Sequence, residues 1–174
     1  MNILIVDDNE TNRKLLRVTL QAEGLHTWEA ADGVEALTVL QREKIDAIIS
    51  DILMPRMDGY RLCYEVRRDE RLQSIPFVMY TSTYTSPSDE KFSLELGADK
   101  FVRKPGSANE IVKLVRELPL RSTAKPRTPM PELSVLKEYS ELLVAKLEEK
   151  NAELVCTAGE LLQAEQRLLG AVRS

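Results

Sequence analysis

Two rhythms of apolar residues alternate along the first 118 positions. Residues 3–6 (Ile-Leu-Ile-Val), 45–49 (Ile-Asp-Ala-Ile-Ile) and 75–80 (Ile-Pro-Phe-Val-Met-Tyr) are short, β-branched or aromatic runs. Such runs predict strands buried on both faces. Weaker strand patterns occupy residues 25–29 and 100–103. Between them the spacing turns helical. Residues 11–22 place Leu15, Leu16, Val18, Thr19 and Leu20 on an expected core stripe. Further helices are predicted from about Asp32 or Gly33, over 59–68, over 88–96 and over 109–118. Five strand–helix alternations in so few residues predict an α/β fold, a doubly wound parallel sheet with helices on both faces.

The pattern then changes twice. Residues 119–132 hold Pro119, Pro126, Pro129 and Pro131, with Arg121, Lys125 and Arg127, and read as an extended linker. From 133 to 174 there is no proline, and Leu133, Leu147, Leu154, Leu161 and Leu168 fall on one seven-residue series broken only by Ser140. Val144, Asn151, Ala158, Glu165 and Val172 form the companion series. This is the pattern of a long helix in a coiled coil, with Val144, Leu147, Asn151, Leu154, Leu161 and Leu168 at the expected dimer seam. A single Asn in such a seam favours a parallel pair in fixed register. The other reading is one amphipathic helix packed on its own domain. The expected organisation is therefore a domain over 1–118, a linker over 119–132 and a helix over 133–174.

Composition narrows the function. The 174 residues carry 24 basic and 28 acidic side chains, a net charge of −4, and are 43% hydrophobic. Wholesale disorder and a broadly basic nucleic-acid binder are excluded. No segment reads as a signal peptide or a membrane span. Two cysteines, Cys63 and Cys156, make no disulfide framework and fit a cytoplasmic chain. Cys63, Trp28 and Cys156 read as packing residues, and the lone His26 is assigned no role.

Chemistry is expected where the strands end, because parallel sheets bind ligands beyond the carboxyl ends of their strands. Asp7-Asp8 follow the first strand, Asp51 the third, Thr81 ends the fourth and Lys104-Pro105 follow the fifth. Alone, Asp7-Asp8 would serve as a helix cap and Lys104 as a surface charge. Together, three carboxylates on one edge repel one another, and a divalent cation such as Mg²⁺ or Mn²⁺ relieves that conflict. A carboxylate nucleophile, a metal, a lysine and a hydroxyl suit phosphoryl transfer.

The segments Ile3-Leu4-Ile5-Val6-Asp7-Asp8-Asn9, Ser50-Asp51-Ile52-Leu53-Met54-Pro55-Arg56-Met57-Asp58-Gly59 and Gly97-Ala98-Asp99-Lys100-Phe101-Val102-Arg103-Lys104-Pro105 closely resemble the receiver domain of two-component response regulators. The resemblance covers residues 1–118. It implies a flavodoxin-like sheet of order 2-1-3-4-5 with five helices. It implies Asp51 as phosphoacceptor, Asp8, Asp51 and the Leu53 carbonyl as direct metal ligands, and Asp7 as a ligand through water. Lys104 and Thr81 would stabilise the phosphoryl group, and Thr81 with Phe101 would form the switch that alters the surface of the fourth helix, fifth strand and fifth helix. Lys104-Pro105 matches a cis peptide in the family.

The expected function is a phosphorylation-controlled switch that takes a phosphoryl group from a separate sensor histidine kinase. Its only catalysis would be its own phosphoryl transfer and dephosphorylation. The helix around residues 136–154 resembles signalling helices, so the chain is expected to relay the change to a partner or to a further domain. It would then be the N-terminal part of a hybrid sensor histidine kinase, with kinase activity only if such a domain exists. The alternative is a receiver-fold interaction or dimerisation module that never takes phosphate. A phosphatase or mutase of the aspartyl-phosphate type wants a second Asp two residues after the nucleophile, and Leu53 stands there. An apolar Leu53 is also expected to slow hydrolysis by excluding water. Residues 119–174 carry eight basic and eight acidic side chains and no reading helix, so no nucleic acid is expected as a partner.

Overall fold

A computed structural model describes residues 1–83, 86–106, 108–118 and 131–172. The chain divides into two compact units, Met1–Pro131 and Glu132–Ser174.

The first unit alternates strand and helix in chain order. It runs β1 (Asn2–Val6), α1 (Glu10–Ala22), β2 (His26–Ala30), α2 (Gly33–Arg42), β3 (Ala47–Ser50), α3 (Gly59–Arg68), β4 (Phe77–Thr81), α4 (Pro87–Leu96), β5 (Lys100–Arg103) and α5 (Ala108–Glu117). All pairings are parallel and the sheet order is β2-β1-β3-β4-β5, as the resemblance implied. The three apolar runs become the three central strands, where both faces are buried.

Strand alternation sorts their side chains. Ile3, Ile5, Ala47, Ile49, Val78 and Tyr80 pack with Leu16 and Leu20 of α1 and with Ile111, Val112 and Val115 of α5. Leu4, Ile48, Phe77 and Met79, also buried, point to the opposite face. Each such burial stabilises the fold by roughly 2 kcal/mol. On α1 the expected stripe is too wide. Leu16 and Leu20, one turn apart, are buried, whereas Leu15 and Val18 are 67% and 55% exposed. A stripe facing one sheet is narrower than the set of apolar residues the helix carries.

Local chemistry starts and stops the helices. Asn9, Asp32, Asp58 and Ser86 are the N-caps of α1 to α4, and each accepts a backbone N–H of the first turn. Arg67 of α3 is 2% exposed, which composition does not forecast. Its guanidinium donates to the carbonyls of Gly97 at 2.8 Å and Ile75 at 2.9 Å, and to Asp99 Oδ2 at 3.0 Å. That one side chain ties α3 to the segments entering β4 and β5.

The second unit is a single helix, α6 (Glu132–Val172). At 1.5 Å per residue it is roughly 60 Å long. Val144, Leu147, Leu154, Leu161 and Leu168 are 55–69% exposed on it. Asn151 and Cys156 are exposed too, so Cys156 does not pack as expected. The proline-rich stretch 119–130, Tyr84, Thr85 and the last two residues of the predicted helix lie outside the described residues.

Candidate functional site

Register alone brings the acidic residues together. Val6 pairs with Ser50 across β1 and β3, so the residues that follow, Asp7 and Asp51, leave the sheet side by side. The ladders run one step further: Asp51 N–H donates to the Val6 carbonyl at 2.8 Å and Asp7 N–H to Ala30 at 3.2 Å. On the other side, Thr81 pairs with Arg103, and Lys104 N–H donates to the Thr81 carbonyl at 2.8 Å. The Lys104-Pro105 peptide is cis.

These backbone positions converge on one cluster. Lys104 Nζ lies 2.6 Å from Asp7 Oδ2 and 2.7 Å from Asp51 Oδ2. Asp7 is 2% and Asp51 8% exposed, whereas Asp8 is open to solvent. Carboxylate oxygens of Asp7, Asp8 and Asp51 all lie within 4.8 Å of one another. The other oxygen of each buried acid is also held: Asn9 N–H donates to Asp7 Oδ1 at 2.8 Å and Ile52 N–H to Asp51 Oδ1 at 2.6 Å. Burial pulls the Lys104 ammonium down, but its hydrogen bonds to Asp51 and Asp7 outweigh that and hold its pKa above the usual lysine value. The lysine is therefore a fixed positive charge.

Three oxygen donors in this space fit a hard divalent cation that keeps part of its water shell. Gly59, at the start of α3, lets the loop close on Asp51. Its N–H donates to the Ile52 carbonyl at 2.8 Å, and a Cβ there would collide with the backbone of Asp51 and Ile52.

The remaining expected residues occupy separate places. Thr81 is fully buried at the end of β4, and its hydroxyl accepts from Thr83 N–H at 3.3 Å. Phe101 is half-buried on β5, opposite Met79. The Leu53 side chain is 50% exposed. The seam residues of α6 belong to the second unit. His26 is exposed at the start of β2, at the end of the sheet opposite the carboxylates, and packs edge-on against Trp28.

Two contributors escaped sequence reasoning. The Asn12 amide reaches both Asp7 oxygens at 3.4 Å, and Arg13 donates to the Asp7 carbonyl at 2.6 Å. Both lie in the first turn of α1, so their helical spacing from the acidic pair was the available signal. Asn12 and Lys104 also border an apolar cleft of about 320 Å³ between α1 and the start of α5, lined by Leu15, Leu16, Tyr80 and Ile111.

Comparison with known proteins agrees with this geometry. The family model of the response regulator receiver domain matches residues 3–116. A probable transcriptional regulator, ycf27, from Cyanophora paradoxa is 40% identical over 71% of this chain and 50% of its own. The alkaline phosphatase synthesis transcriptional regulatory protein PhoP of Bacillus subtilis is 36% identical over 69% of this chain and 49% of its own. The chain thus spans about half the length of these curated relatives. Among solved structures, the signal receiver domain of a signal transduction histidine kinase from Syntrophus aciditrophicus is 37% identical, with a TM-score of 0.64 over 75% of this chain and 96% of that one. The chemotaxis protein CheY4 of Vibrio cholerae is 33% identical, with a TM-score of 0.64 over 68% and 98%. No described helix is long and apolar enough to cross a membrane. By its strand order, its acidic cluster and these matches, the chain belongs to the response regulator receiver family.

Proposed function

We propose that this chain is a phosphorylation-controlled switch whose phosphoacceptor is Asp51. The observation that carries the reading is the placement of Lys104 Nζ between Asp51 and Asp7, with Asp8 completing an acidic cluster at the strand ends. A carboxylate oxygen of Asp51 attacks the phosphorus of a phosphohistidine on a sensor kinase. The P–N bond breaks, and the imidazole leaves and takes up a proton. Asp8, Asp51 and the Leu53 carbonyl are suited to hold Mg²⁺ directly, and Asp7 through water. Bound there, the cation would neutralise the phosphoryl oxygens.

Once Asp51 is phosphorylated, its group carries roughly two negative charges. Lys104 pairs with one of the new oxygens. Thr81 turns its hydroxyl from Thr83 N–H to another, and Phe101 follows into the space that opens. The chain catalyses its own phosphoryl transfer and loss and acts on no other substrate in this reading. Output passes through α6, which we propose pairs in parallel with a second copy along Val144, Leu147, Asn151, Leu154, Leu161 and Leu168. The exposure of that row supports this part of the reading.

Intact mass after incubation with Mg²⁺ and acetyl phosphate tests it. One added phosphoryl group on the wild type, absent from Asp51→Asn, is the expected result. If no adduct forms with acetyl phosphate or with any of a panel of phosphorylated kinases, the chain is an interaction module instead.

A further inference from the structure

The acceptor loop is clamped from a direction that the phosphoryl chemistry does not require. Residues 52–58 connect Asp51 to α3, and the N-terminus of α2 lies against them. Asp32, the N-cap of α2, is 1% exposed. Its Oδ1 accepts from Val34 N–H at 2.9 Å and Glu35 N–H at 3.0 Å, which accounts for the cap. Its Oδ2 faces the loop instead. There Arg56 Nε donates at 2.5 Å, and a terminal nitrogen of the same guanidinium donates to the same oxygen.

Two neighbouring contacts close the seam. Gly33 N–H donates to the Met57 carbonyl at 3.0 Å. Met57 also occupies the space beside Gly33, where a Cβ would lie 2.6 Å from Met57 Cγ.

Arg56 adopts φ +60°, a left-handed conformation that disfavours any residue with a Cβ. A loop that needed only the turn would be best served by glycine or asparagine there. Arginine adds the reach to Asp32.

We infer that Asp32 and Arg56 are positioning residues for the metal site. Their ion pair holds residues 52–58 in the shape that presents the Leu53 carbonyl and Asp51 to one cation. The inference rests on the metal-site reading above, and the test separates the two. In the 174-residue chain, without phosphodonor, Mg²⁺ binding is measured by titration calorimetry. Amide exchange of residues 52–58 and the melting curve are followed on the same samples. The variants are Asp32→Asn, Arg56→Gly, Arg56→Lys and the Asn/Gly double.

Asparagine keeps the oxygen that caps α2 and puts an amide N–H donor in place of the Oδ2 that accepts from Arg56. Glycine relieves the left-handed backbone and removes the whole side chain, guanidinium included. Each is expected to weaken Mg²⁺ binding by about tenfold, the low end for groups that orient metal ligands, and to speed exchange in 52–58. The double variant is expected to lose no more than either single, because both break one pair. Lysine is expected to recover part of the loss. Should Arg56→Gly bind Mg²⁺ as tightly as the wild type, the ion pair does not position the loop and the inference fails while the metal site stands. A wild type that does not bind Mg²⁺ overturns both. If Asp32→Asn does not fold, Arg56→Gly alone decides.

Discussion

Lys104 Nζ and Asp51 Oδ2 stand 2.7 Å apart although 53 residues separate them in the chain. The same ammonium also meets Asp7 at 2.6 Å. One ammonium therefore bridges two buried carboxylates and offsets half of their charge, and a third acid, Asp8, stands beside them at the surface.

Removal of that lysine leaves Asp7 and Asp51 facing each other without a counter-charge. Lys104→Met is expected to destabilise the first unit by roughly 3 kcal/mol in the absence of metal. Part of the loss should return with millimolar Mg²⁺, measured by denaturant unfolding. The lysine titrates higher in the folded chain than in the unfolded one. Its contribution is therefore complete below the ordinary lysine value, ~10.4, and disappears as the pH rises through the higher folded value. A Lys104→Met chain should lack that alkaline dependence.

Asp32 gives the opposite dependence. Burial raises its carboxyl, but the Glu35 and Val34 amides and the Arg56 guanidinium outweigh it, so its pKa lies below the ordinary value. The stability it contributes is complete above about pH 3.9 and is lost as the pH falls through the lower folded value. Unfolding free energies of Asp32→Asn should fall less steeply on the acid side than those of the wild type.

Thr81 is buried and carries the hydroxyl that would engage the phosphoryl group. Thr81→Ala is expected to take up the phosphoryl group, because Asp51 and Lys104 are intact. Its Phe101 should then keep one environment with and without phosphodonor, whereas that of the wild type should change. A fluorine label on the ring reads this directly.

Leu53 is 50% exposed, two residues after Asp51. Leu53→Asn replaces an apolar side chain with one that can orient water. Loss of the phosphoryl group, followed by intact mass, should accelerate by about tenfold, below the range of a true general base. An unchanged rate would remove Leu53 from the hydrolysis argument.

On α6, Leu154 and Leu161 are both 66% exposed. Leu161→Glu would place a charge in the proposed seam. Sizing by light scattering should show a dimer for the wild type and a monomer for the variant. Phosphorylation of Asp51 should proceed in both.

Much of this molecule is legible in its sequence because short-range rules govern it. Continuous apolar runs had to become buried strands, and residues placed after those runs had to leave the sheet at one edge. Asp7, Asp51 and Lys104 were therefore readable from order and spacing alone, as was the heptad row of α6. Side-chain direction and long-range pairing were not. Leu15 and Leu16 are adjacent and equally apolar, yet only contact with the sheet distinguishes the buried one. Nothing local to Asp32 or Arg56 announces that they meet across 24 residues. Arg67 has the composition of a surface residue and becomes buried because Gly97, Ile75 and Asp99 arrive around its guanidinium from two other strands' approaches. Periodicity acts through the nearest few residues of the chain. Which polar groups share a buried partner is decided only when distant segments close on one another and exclude water.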